Sequence, residues 1–164
     1  MTWLDLILAI LLICFGGVVL VGAPYLPTRA PQIRAALELA DLKPGDTLLE
    51  LGCGDGRVLI AAARQGIKAI GYELNPLLAA LAWLRTRRYR HHVKIIWGDY
   101  WRTDWPPAQA VFTFLLSRYM AKLDKKLTNY PHQPVKLVSY AFKVPSKRPD
   151  AQKNGVFLYR YINS

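Results

Sequence analysis

Cysteine is nearly absent from this 164-residue chain. Cys14 and Cys53 alone exclude a disulfide framework and supply no cysteine metal cage. Histidine is as sparse: His91 and His92 are adjacent, which suits a loop, and His132 stands alone between prolines, so no metal site is expected. Acidic residues are scarce too, 11 against 22 Lys and Arg, for a formal net charge of +11. No internal repeat or low-complexity run is visible, which removes solenoids and linker arrays from consideration. What remains is one domain with an appendage, since a single core fits comfortably in this length.

The appendage lies at the N-terminus, where basic residues are missing altogether: the first Lys or Arg is Arg29. A secretory signal peptide needs a positively charged start, and none is present. Residues 6–22 carry no charge, a stretch roughly 26 Å long as a helix, and the apolar flanks extend it to roughly 36 Å. A hydrocarbon core is about 30 Å thick. Trp3 and Tyr25 mark its two ends. The pattern predicts a transmembrane anchor at residues 1–27 and a folded domain at 28–164. Because every Lys and Arg follows the anchor, the protein is expected in a membrane, single-pass, with the domain on the cytoplasmic side. Such a basic domain suits an anionic lipid surface. The cluster Arg85, Arg87, Arg88, Arg90, His91, His92 is assigned to lipid headgroups before nucleic acid.

Residues 47–76 carry the densest signal. A β-branched and leucine-rich run at 47–51 enters Gly52, Gly54 and Gly56, where missing Cβ atoms allow a tight turn and close approach of a ligand. Apolar, alanine-rich helical spacing follows at 58–64, then a short apolar strand at 68–72 closed by Glu73. An acid there, roughly 20 residues past the glycines, is placed to accept hydrogen bonds from ribose hydroxyls. The dinucleotide fingerprint is GxGxxG, whereas residues 50–56 read E-L-G-C-G-D-G, an acid followed by GxGxG. A pyrophosphate prefers bare amides at a helix N-terminus. Carboxylates at Glu50 and Asp55 suit a ligand with ammonium and sulfonium centres, so the expected cofactor is S-adenosyl-L-methionine. Cys53 reads as a small residue packed beneath it, since a nucleophilic thiolate would need a basic partner.

These residues, with GYELNP at 71–76 and GDYW at 98–101, resemble a membrane-anchored family of class I protein-lysine methyltransferases. Its mitochondrial members modify the c subunit of ATP synthase and the adenine nucleotide translocase. The likeness runs from about residue 24 to 145 and is densest over 50–76. It departs at residues 115–119, where the family has a proline-containing loop and this chain has Leu-Leu-Ser-Arg-Tyr. The resemblance implies that the glycine turn cradles the methionine and ribose, that Glu73 holds the ribose hydroxyls, and that Asp99 accepts from the adenine amino group. The cofactor-binding set is then Glu50, Gly52, Cys53, Gly54, Asp55, Gly56, Arg57, Glu73, Leu74, Asn75, Asp99 and Tyr100. No catalytic base is assigned.

Alternating helices and apolar strands predict a Rossmann-like α/β fold with a mostly parallel sheet covered on both faces. Helices are expected at 30–42, 77–88 and 118–127, and further strands at 93–97, 110–116, 135–142 and 155–162. The last strand follows without an intervening helix and should pair antiparallel with the fifth. Six strands in all would leave the sheet one short of the full family pattern. The expected activity is methylation of an accessible lysine on a membrane protein, with Tyr100, Trp101, Tyr119 and Tyr140 forming an aromatic wall at the mouth. Alternatives are a lipid headgroup, quinone or RNA acceptor, or a membrane-tethered module that binds the cofactor without turnover.

Overall fold

A computed structural model describes residues 2–6, 8 and 26–162. Helix α1 (Ala30–Ala40) has proline in its first turn and ends at Asp41, in the left-handed conformation at φ 45°. Strand β1 (Thr47–Leu51) leads through the glycine turn to α2 (Arg57–Ala63), and β2 (Lys68–Glu73) leads to α3 (Pro76–Thr86). A 3-10 turn (Arg87–Tyr89) links α3 to β3 (Val93–Trp97). The chain then crosses to β4 (Ala110–Thr113), α4 (Ser117–Thr128) and β5 (Val135–Tyr140), and closes with β6 (Ala151–Lys153) and β7 (Val156–Tyr161).

The sheet order is β3-β2-β1-β4-β5-β7-β6. The first five strands are parallel, and β7 runs antiparallel between β5 and β6. Chain direction across the sheet reverses at β1 and β4, so their carboxyl ends frame the switch point where open α/β sheets bind ligands. Strands β1 and β4 are buried almost throughout, as both-face coverage requires. One face packs α1 and α2 with Leu48, Leu59, Ala69, Phe112 and Leu158. The other packs α4, through Met120, Leu123 and Leu127, against Leu49, Val111 and Leu137.

Two expectations are corrected here. The sheet has seven strands, because β6, a three-residue edge strand inside the expected 145–154 connection, pairs with β7. More consequentially, no helix among the described residues is long and apolar enough to cross a membrane. The described helical residues ahead of α1 are 3–6 and 8, whereas a crossing takes about 20 residues. The rest of the expected span, residues 7 and 9–22, lies outside the described residues. The transmembrane helix in the expected fold class and the single-pass membrane placement are therefore withdrawn. A Rossmann-like sheet with an antiparallel C-terminal strand is what stands.

Candidate functional site at the carboxyl ends of the strands

The glycine turn is built by its neighbours as much as by its own glycines. Gly52 N and Cys53 N both donate to Tyr72 O, at 2.9 and 2.8 Å, which fastens the exit of β1 to the end of β2. Gly54 N donates to Glu73 Oε2 at 2.8 Å, and Asn75 N donates to Oε1 at 2.9 Å. Glu73 thus spans the turn and the start of α3 with one carboxylate. Asn75 continues the arrangement by capping α3, its Oδ1 accepting from Leu77 N at 2.9 Å and Leu78 N at 3.3 Å. Leu74 presents its carbonyl to Trp97 Nε1 at 3.1 Å.

Gly52 and Gly71 show why side chains are excluded for different reasons. Gly52 has φ 82° and a Cβ there would meet no atom within 4 Å, so its outer side is open for a ligand. A Cβ on Gly71 would lie 2.6 Å from Leu59 Cδ1 and 2.7 Å from Cys53 Cβ. Cys53 is therefore wedged between the turn and β2, and burial, with the charges of Glu50 and Glu73, drives its thiol far above the usual range. That is an inert packing residue.

Glu50 is buried at 4% exposure, and its Oε2 has no hydrogen-bond partner among the described residues. Burial, reinforced by the charge of Glu73 and opposed by Arg57, holds its carboxyl well above the ordinary value. An unpartnered buried carboxylate oxygen beside an open glycine is what a cationic or donor-bearing ligand would satisfy. Asp55 behaves differently. Its carboxylate takes a two-point fork from Arg57, Nε to Oδ1 at 2.9 Å and Nη2 to Oδ2 at 2.8 Å, and also pairs with Arg85 Nη1. Arg57 Nη1 reaches back to Thr28 O at 3.4 Å. Asp55 is thus committed to two guanidiniums and stiffens the turn, rather than adding a free charge to the pocket. Arg85 lies thirty residues away, and sequence spacing carries no signal for it. Gly56, at φ 78°, lets Thr86 and Ala82 of α3 approach the turn.

The β3 exit supplies the other wall. Asp99 Oδ1 accepts from Trp101 N at 2.9 Å, and Oδ2 faces Arg102 Nε at 3.4 Å. Tyr100 is pushed above its ordinary range by burial and by the charges of Asp99, Tyr119 and Glu73, which places all four groups in one neighbourhood. Tyr100 and Trp101 rings lie 4.9 Å apart, and Trp101 and Tyr119 6.3 Å. Tyr140 stands apart from them, paired with Phe114 at 4.5 Å, while Phe142 lies 6.4 Å from Phe114. The expected single wall is two aromatic groups, one at the β3 exit and one at the β4 and β5 exits. Phe114 and Phe142 carry no motif that marks them in the sequence. Leu115 is buried and Leu116 precedes α4 as its N-cap residue. Among the described residues no group of three or more His, Cys, Asp and Glu is arranged to hold a metal.

The sequence matches the family described as the ANTKMT methyltransferase domain over residues 50–151. It is 32% identical over 129 residues to a Xenopus laevis lysine N-methyltransferase named for the c subunit of ATP synthase, covering 77% of this chain and 57% of that protein. A protein-lysine N-methyltransferase of Saccharolobus islandicus is 32% identical over 130 residues, covering 77% of this chain and 81% of that one. In three dimensions the chain superposes on an RNA methyltransferase from Salinibacter ruber, solved with S-adenosyl-L-homocysteine, at a TM-score of 0.75 and 31% identity, covering 83% and 92% of the two chains. The chain spans little more than half the length of its Xenopus relative. With the seven-stranded sheet, the acid-led glycine turn and this match in hand, the chain belongs to the ANTKMT methyltransferase domain family.

Proposed function

We propose that the protein is an S-adenosylmethionine-dependent methyltransferase whose acceptor is a lysine side chain of a protein. The observation that carries the reading is the unpartnered, buried Oε2 of Glu50 beneath a glycine turn with open space outside Gly52. A ligand with an ammonium and a sulfonium centre meets that requirement, and a phosphate-bearing one would be repelled by Glu73. Gly52 to Gly56 would hold the methionine portion, Glu73 and Asn75 the ribose, and Asp99, Leu74 and Tyr100 the adenine side. The donor supplies an activated methyl group on sulfur.

The chain's own contribution is placement. Methyl transfer requires the acceptor nitrogen in line with the sulfur–methyl bond, and positioning with exclusion of water provides much of the acceleration. The rings of Phe114 and Tyr140, together with Tyr100, Trp101 and Tyr119, border the carboxyl-end rim. Aromatic faces attract a cationic side chain, and their apolar bulk then favours the neutral amine that must attack. The two relatives named for lysine methylation favour a protein acceptor. Transfer of label from S-adenosylmethionine to a protein fraction tests the reading, with Gly54→Arg as the blocked control. Label on lysine is expected from the native chain alone; no protein-borne label would sink it. The Salinibacter neighbour favours a second reading, an RNA acceptor, in which label would appear in the RNA fraction.

A further inference from the structure

A shallow, open depression lined by exposed residues lies at the carboxyl end of α3, away from the strand ends. Leu84, Arg85, Arg87, Arg88, Arg90 and His91 line a cleft of about 700 Å³, within the usual range for small-molecule sites. None of these lining residues is acidic. Arg85 is the one cation among them that forms an ion pair among the described residues, with Asp55. The Arg88 guanidinium lies 4.9 Å from the centroid of the Tyr89 ring, and Arg64 Nε donates to Tyr89 OH at 3.1 Å, so a further cation backs the cluster. A helix carboxyl terminus favours cations in its last turn. That effect accounts for Arg85 and its nearest neighbour; it does not account for four arginines on one depression, of which Arg87, Arg88 and Arg90 have no ion pair among the described residues.

We propose that this cleft binds a compact phosphate-bearing ligand, pyrophosphate or the diphosphate group of a nucleotide, and reports its occupancy to the glycine turn through the Arg85–Asp55 pair. Guanidinium forks match phosphate oxygens two at a time, and a ring-stacked arginine is already oriented for it. Arg85 faces both ways, since Asp55 is buried in the turn at 3% exposure and shares its carboxylate between Arg57 and Arg85. A phosphate in the cleft competes for Arg85, leaves Asp55 with Arg57 alone, and loosens the turn. Uptake of a ligand at the turn is then weakened by the anion, and by linkage the anion is weakened by that ligand to the same degree.

Calorimetry of the whole chain with inorganic pyrophosphate tests the first half without any methyl donor. Saturable one-to-one binding is expected, weakened by about tenfold or more in Arg88→Glu/Arg90→Glu, with circular dichroism and melting temperature confirming that the variant is folded. Absence of binding heat overturns the site, as does equal affinity in the folded variant. So does capture of RNA or anionic vesicles that pyrophosphate fails to displace. The second half is read by titrating S-adenosylmethionine at saturating pyrophosphate. A several-fold weaker donor affinity is expected in the native chain and none in the double variant; no change in the native chain overturns the coupling. Failure of the chain to bind the donor under any condition would remove the proposed function and the coupling, while the pyrophosphate titration would still report on the cleft.

Discussion

A carboxyl group sealed beneath a turn is costly to ionise, and Glu50 meets that cost beside a second acid, Glu73. A carboxyl whose folded-state pKa is raised contributes most to stability below the unfolded value near 4.5, and the contribution is lost as pH rises through the folded value. The ligand-free domain should therefore lose stability as pH rises across that window. Glu50→Gln removes the penalty while keeping the shape. We expect it to raise the stability of the free domain by on the order of 1 kcal/mol at neutral pH and to weaken donor binding at least about tenfold, measured by thermal melts and calorimetry. If bound donor draws Glu50 into its ionised form, binding releases a proton, and the calorimetric heat will scale with the ionisation enthalpy of the buffer. Gly71 makes the opposite case. Its neighbours are Leu59 and the backbone-anchored Cys53, which leave no room to yield, so Gly71→Ala should cost about 1–3 kcal/mol in urea unfolding.

At the scale of elements, α3 is the piece most tightly bound to the site: its first residue follows the Asn75 cap, and its last turn carries Arg85. Asn75→Ala removes the side-chain acceptor for two amides and should cost about 1 kcal/mol, with donor affinity falling as well because the Glu73–Asn75 link loosens. Chemical denaturation and calorimetry separate the two effects. Most elements were legible from their apolar runs and their breakers: β3 begins and ends where its apolar run does although it is only half-buried, and the buried β1 is bounded by Asp46 and the glycines. The errors have local causes. β4 and β5 stop earlier than their apolar runs because Phe114–Leu116 and Ala141–Phe142 leave the sheet to form the rim. The edge strand β6, Ala-Gln-Lys, is three residues long and largely exposed, so it has neither length nor alternation to announce it.

Across the whole molecule, the mostly parallel sheet was legible from the alternation of helices and apolar strands, the antiparallel closure from the missing helix before the last strand, and the glycine turn from its spacing. The partners of the turn were not, since Arg85 meets Asp55, and Phe114 meets Tyr140, only once the sheet is assembled. The apolar run at the N-terminus led to an expected membrane span, whereas no helix among the described residues is long and apolar enough to cross one. The net charge of +11 sets a property of the entire surface. Self-repulsion among exposed cations falls as the Debye length shortens, so melting temperature should rise between about 10 and 150 mM salt; a flat or falling trend would contradict that. A final consequence concerns Tyr72 and Glu73, which hold three amides of the glycine turn from the neighbouring strand. During synthesis, a nascent polypeptide halted before residue 73 possesses the whole glycine signature yet lacks its scaffold. The turn therefore takes its observed form only with the second strand docked beside the first.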